Sequence, residues 1–167
     1  MKKLVLITIL ISSSLTYSNV NKVRNEFPNI NTLAKVNIYI EQLQDETNND
    51  SKAYLGALYF LKSKYVKFPF SKWNNFKKGK TLLDEVIINS PNNIEYRYLR
   101  LLFQHQIPNF LNYNDNIDED FKRFTQGFKI SKINIAFKFK MLTNLINLDD
   151  VSERRASILK ELKTNLV

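Results

Sequence analysis

Residues 51–66 read SKAYLGALYFLKSKYV, and their spacing decides the fold class. Tyr54, Leu58, Leu61 and Tyr65 recur at intervals of four, three and four, the period of one face of an α-helix, and no sustained period-two run competes. Thr47-Asn48-Asn49-Asp50 ahead of them is turn chemistry, with Asp50 or Ser51 able to cap the helix. Phe68-Pro69-Phe70 behind them breaks it.

The same period extends outward on both sides. Toward the N-terminus, Asn31 or Thr32 caps a helix to about Gln44, with Leu33, Val36, Ile40 and Leu43 on one face. In the other direction Ser71 opens a helix whose buried stripe is Trp73, Phe76, Leu83, Val86 and Ile87, and Ser90-Pro91-Asn92 stops it. Asn93 caps the next, to about Gln106, with Ile94, Tyr98, Leu101 and Leu102 inward. An irregular, Asn-rich connection over 108–118 leads to helices at about 118–128 and 131–146. Ser152 opens the last, lined by Ile158, Leu159, Leu162 and Leu166. The expected fold is all-α, with about seven helices in stacked antiparallel αα-hairpins forming one domain over 31–167.

Leu55-Gly56 followed by Tyr59 resembles the first helix of a tetratricopeptide repeat (TPR), and Gly79, Leu83, Val86 and Pro91 fall where its second helix has small, aromatic, small and proline positions. Leu83 and Val86 depart from that pattern, and the link at 67–72 makes the unit about ten residues longer than the usual 34. The resemblance implies a TPR-like helical-hairpin scaffold that recognises a protein or peptide on a concave surface. The stretch 93–113, containing Glu95-Tyr96-Arg97-Tyr98-Leu99-Arg100, also resembles short exported helical proteins, which brings no activity with it.

The first eighteen residues read as a secretory signal peptide. Lys2 and Lys3 precede the apolar run Leu4–Ile11, and serines lead to a cleavage position near Ser18. That run is shorter than the roughly 20 apolar residues a spanning helix needs. Residues 19–30 read as a polar linker ending at Phe27-Pro28. The expectation is an exported protein, periplasmic by preference, with no transmembrane span once the leader is removed.

Composition removes whole classes of chemistry. The 167 residues contain no cysteine, one histidine and three scattered glycines, which excludes disulfides, thiolate nucleophiles, Cys-based metal sites and a Gly-rich phosphate loop. Neither a cofactor nor a metal is expected. His105, the one imidazole, falls on the apolar stripe with no nucleophile or orienting carboxylate supplied by any motif, and reads as a partly buried structural residue. Asn112, Asn114, Asn116, Asp118 and Asp120 alternate as in a calcium loop, but Ile117 and Arg123 occupy the places that demand Gly and Glu. No catalytic residue is assigned, and an enzyme ranks third among the readings.

Two surfaces stand out. Arg97, Arg100 and Gln104 share one strip of a helix, and only six arginines stand against nineteen lysines. Arginine grips a carboxylate at two points, so these residues, with Tyr96 and Tyr113 adding apolar contact, are the candidate site for a partner's acidic group. The alternative is an internal tie to Asp118, Glu119 or Asp120.

The second surface is basic. Between Ser51 and Leu83 there are eight lysines and no acid, and Lys62, Lys64, Lys67, Lys72, Lys77, Lys78 and Lys80 crowd its centre among aromatics. From Phe121 to Leu148 acids are again absent. A nucleic-acid ligand is set aside for an exported protein whose aromatics fall at core spacing; association with an anionic envelope surface is the second functional reading, and a plain solvated lysine face is the simpler account of the same residues. Without Lys2 and Lys3 of the leader the formal charge falls from +9 to +7, and the Asn-, Ile- and Lys-rich composition lowers the weight of that charge as a sign of binding.

Overall fold

The computed structural model describes residues 19–166, so the proposed signal peptide lies outside the described residues. These residues form eight helices and no strand. They fall into two compact units divided between Val86 and Ile87, within the last turn of a helix, where the sequence reading has one domain.

In the first unit, α1 covers 19–26, α2 Leu33–Leu43, α3 Asn49–Tyr65 and α4 begins at Pro69 and ends at Asn89. Helix α1 corrects the linker reading of 19–30. Val20, Val23, Phe27 and Ile30 are all buried, at spacings of three and four that a window dominated by asparagine and charge conceals. Thr32 caps α2 by accepting from the Lys35 amide at 3.3 Å. Its buried residues Val36, Tyr39, Ile40 and Leu43 face α3.

Helix α3 starts two or three residues earlier than the expected Asp50 or Ser51 cap allows, because Asn48 is the cap and accepts from the Ser51 amide at 2.9 Å. Residues 53–61 are buried without interruption, so the middle of α3 is enclosed on every side while its ends reach solvent. Asp50 at its start and Lys62 and Lys64 at its end complement the helix dipole. Pro69 is the first residue of α4 and not a spacer before it, since a first-turn proline gives up an amide that has no intrahelical partner. Where α3 and α4 cross, backbones touch: a Cβ built on Gly79 would lie 2.8 Å from the Gly56 carbonyl oxygen.

The second unit is built on α5, Ile94–Gln104, every residue of which is buried. Asn93 caps it as expected, accepting from the amides of Glu95 at 3.0 Å and Tyr96 at 3.3 Å. A short 3-10 turn, Asn109–Leu111, leads to α6 at Ile117–Ile130, which packs along α5. Helix α7, Ile135–Ile146, also packs on α5, and α8, Glu153–Thr164, packs on α7. The sequence places the start of α7 at Ser131, but Asn134 is the cap, accepting from the Phe137 amide at 2.8 Å. Residues 131–134 are therefore a link. The Tyr98 hydroxyl accepts from Asn144 at 2.7 Å and ties α5 to α7, and burial drives its pKa above the ordinary range.

Candidate functional site

The arginine strip on α5 is built as expected and then buried. Arg97 and Arg100 both reach Asp120 on the first turn of α6, whose carboxylate is fully enclosed. Arg100 grips it at two points, Nε to Oδ2 at 2.6 Å and Nη2 to Oδ1 at 2.7 Å. Arg97 donates from Nη1 to Oδ1 at 2.5 Å and from Nε to the Pro91 carbonyl at 3.0 Å. Glu119 stands 3.7 Å from Arg97, and its carboxyl is held below the usual range chiefly by the hydrogen bond from Arg123.

Gln104, Tyr96 and Tyr113 are buried as well. Arg97 and Arg100 are thus brought together at Asp120, and all five residues named from sequence are buried and offer no open face to a partner. Of the two readings of the arginines, the internal tie is the one observed, with Asp120 as its acid. The physical reason is local. Asp120 belongs in the first turn of a helix, where the dipole favours negative charge, and that turn packs on the arginine strip. Gln104 differs from its neighbours, since neither amide atom has a hydrogen-bond partner among the described residues.

His105 closes α5 and its Nδ1 lies 2.6 Å from a carboxylate oxygen of Asp150, in the link between α7 and α8. Sequence spacing could not place Asp150 there, 45 residues downstream. Among the described residues, no group of three or more His, Cys, Asp or Glu side chains is placed to hold a metal ion. A groove of about 550 Å³ runs between the start of α5 and the end of α6, bounded by Asn92, Ile94, Gln126, Ile130 and Ile133. Its one cation, Arg123, is held by Glu119 at 2.8 Å and Asn92 at 3.1 Å.

The basic surface of the first unit looks different from its sequence reading. Phe68 is 74% exposed, Phe70 75% and Trp73 43%, so the turn from α3 to α4 presents three aromatic rings to solvent. Trp73 was expected on the buried stripe; instead its ring stacks on buried Phe76 at 5.5 Å and leaves its outer side uncovered. Phe76 in turn packs against Phe60 of α3. Lys64, Lys67, Lys72, Lys77 and Lys78 are exposed around these rings, with the Lys77 ammonium 5.5 Å from the Trp73 ring and Lys78 4.3 Å from Tyr59. Lys62 is half-buried, and Lys80 pairs with Asp84 at 3.1 Å. No described helix is long and apolar enough to cross a membrane.

Comparison with family models, with curated proteins and with solved structures finds no match to this chain. The tetratricopeptide resemblance therefore rests on its residues alone, and the all-α architecture is what the chain itself displays.

Proposed function

We propose that this is an exported, non-catalytic accessory protein that attaches peripherally to an anionic membrane surface, with the α3–α4 turn as its contact. One observation carries the reading: Phe68, Phe70 and Trp73 are exposed together inside a stretch that holds eight lysines and no acid. Aromatic rings settle at the headgroup level of a bilayer, and lysines around them meet phosphate oxygens there. Neither half suffices alone. Lysines without an apolar anchor give a diffuse, salt-sensitive association, and three rings without charge give no preference for anionic lipid. Recognition of a protein or peptide, the other reading of a helical-hairpin scaffold, loses the arginine grip it relied on, because both guanidinium groups are committed to Asp120.

Trp73 is the single tryptophan of the chain, so its fluorescence reports on the proposed contact without labelling. Titration with vesicles of phosphatidylglycerol and phosphatidylcholine in equal parts should shift its emission to the blue. Vesicles of phosphatidylcholine alone should leave it unchanged. Emission indifferent to both removes the proposal.

A further inference from the structure

We propose that the α6–α7 turn of the second unit is another contact for the anionic bilayer, separate from the α3–α4 turn and resting on the attachment proposed above. Ile130, the last residue of α6, is 85% exposed, and Ile135, the first of α7, is 64% exposed. Phe139 follows Ile135 by four residues, hence on the same face of α7, and is also exposed. Exposed apolar side chains scattered singly are ordinary, but three within ten residues around one turn form a patch.

The charges nearest this patch on its own two helices and their link are positive. Lys129 and Lys132 are exposed beside the isoleucines, and the Lys163 ammonium lies 4.2 Å from the Phe139 ring. From Phe121 to Leu148 the chain has no Asp or Glu. A second copy of this chain is a poor occupant, since pairing two such patches would bring Lys129 and Lys132 against their own kind as water is excluded. A nucleic acid is no better matched, because the isoleucines offer bases no ring to stack on and the Phe139 ring is already faced by the Lys163 ammonium. A bilayer rich in anionic lipid satisfies both halves. Ile130 and Ile135 reach the boundary of the acyl chains, and the lysines, laid along the apolar surface by their aliphatic stems, leave their amines among the phosphates.

The test moves the reporter. In a Trp73→Phe background, Ile130→Trp places one indole on the second turn, while the wild-type chain reports on the first. Both are titrated with equal-part phosphatidylglycerol and phosphatidylcholine vesicles carrying brominated acyl chains. A blue shift and quenching of the Ile130→Trp indole are expected. Ile130→Ser combined with Ile135→Ser, in the otherwise native chain, is expected to weaken partitioning about tenfold with helicity unchanged.

If Trp73 responds while the Ile130→Trp indole keeps its aqueous emission, and the serine pair partitions like wild type, this second contact is overturned and the first stands. If neither indole responds, the attachment itself fails. A shift of the Ile130→Trp emission that depends on protein concentration and needs no vesicles would make a second copy the occupant, and would overturn the inference.

Discussion

Gly79 of α4 lies so close to Gly56 of α3 that a Cβ on it would come within 2.8 Å of the Gly56 carbonyl oxygen and 3.1 Å of Phe60. The first distance involves backbone, which no rotamer change relieves. Gly79→Ala should therefore destabilise the protein by about 2 kcal/mol, with the overpacking penalty outweighing alanine's better helix propensity. Gly127→Ala is the informative comparison. Its Cβ would meet Ile94 Cγ2 at 2.6 Å, a branch methyl fixed on Cβ of a buried side chain that moves only with χ1, so the loss should be no smaller. Urea denaturation of both variants checks the order.

Asp120 bridges two buried guanidinium groups, so Asp120→Asn removes the carboxylate that Arg97 and Arg100 share and leaves Arg97 with Glu119 at 3.7 Å. The expected loss is about 3–5 kcal/mol, from uncompensated buried charge. Glu119→Gln, at a half-exposed neighbour, should cost under about 1 kcal/mol. A calorimetric comparison of the two midpoints distinguishes a shared ion cluster from a dispensable surface pair.

Gln104 buries an amide whose oxygen and nitrogen have no partner among the described residues. Gln104→Leu removes both polar atoms at similar volume, and should raise stability by about 1–2 kcal/mol. Equilibrium unfolding would show it as a higher midpoint with an unchanged slope. A lower midpoint would mean that the amide has a partner in solution.

Tyr39 sets an alkaline limit. Burial, helped by a hydrogen bond to Glu26, raises its hydroxyl from 10.0 to about 12. A raised pKa means that the folded chain holds the phenol proton more tightly than the unfolded chain does. The stability this represents is complete below pH 10 and is lost as pH rises toward 12. Tyr39→Phe should flatten the decline over that window, leaving the part that Tyr98, also raised by burial, contributes. Stability measured across alkaline pH gives the slope directly.

Phe68→Ala, Phe70→Ala and Trp73→Ala together should abolish most vesicle binding with helicity retained, the stability cost coming from the lost Trp73–Phe76 stack because Phe68 and Phe70 touch little of the protein. Cosedimentation with anionic vesicles is expected to fall by at least about tenfold. Arg97→Glu with Arg100→Glu should instead unfold the second unit through repulsion of Asp120, so its effect would appear in helicity before it appeared in binding.

Helices announced themselves wherever apolar spacing and a capping residue agreed. Asn93 and Ser152 sit at the caps assigned to them, and α2 lies within its expected limits. Helix α1 was missed because asparagine and charge dominate 19–26, although Val20, Val23 and Phe27 carry a legible stripe. The arginine tie was legible as one of two possibilities, because spacing puts Arg97 and Arg100 on one strip but says nothing of what packs there. Trp73 was misplaced for a related reason: helical period identifies a face, and only the neighbouring helix decides how far along that face the cover extends. His105 with Asp150 could not be read at all, since that pair depends on where the α7–α8 link returns.

The Asp120 carboxylate also gives the α5–α6 pair a ratchet with one tooth. Sliding α6 by one turn, about 5.4 Å, would bring Asn116 or Ile117 opposite the two arginines from one side, or Arg123 or Phe124 from the other. None of those side chains is an anion, and Arg123 would add a third cation. Neighbouring registers of otherwise similar apolar fit are thus separated from the native one by the cost of stranded charge. Where leucine and phenylalanine alone would let one helix creep along another, a single aspartate leaves α6 one place to stop.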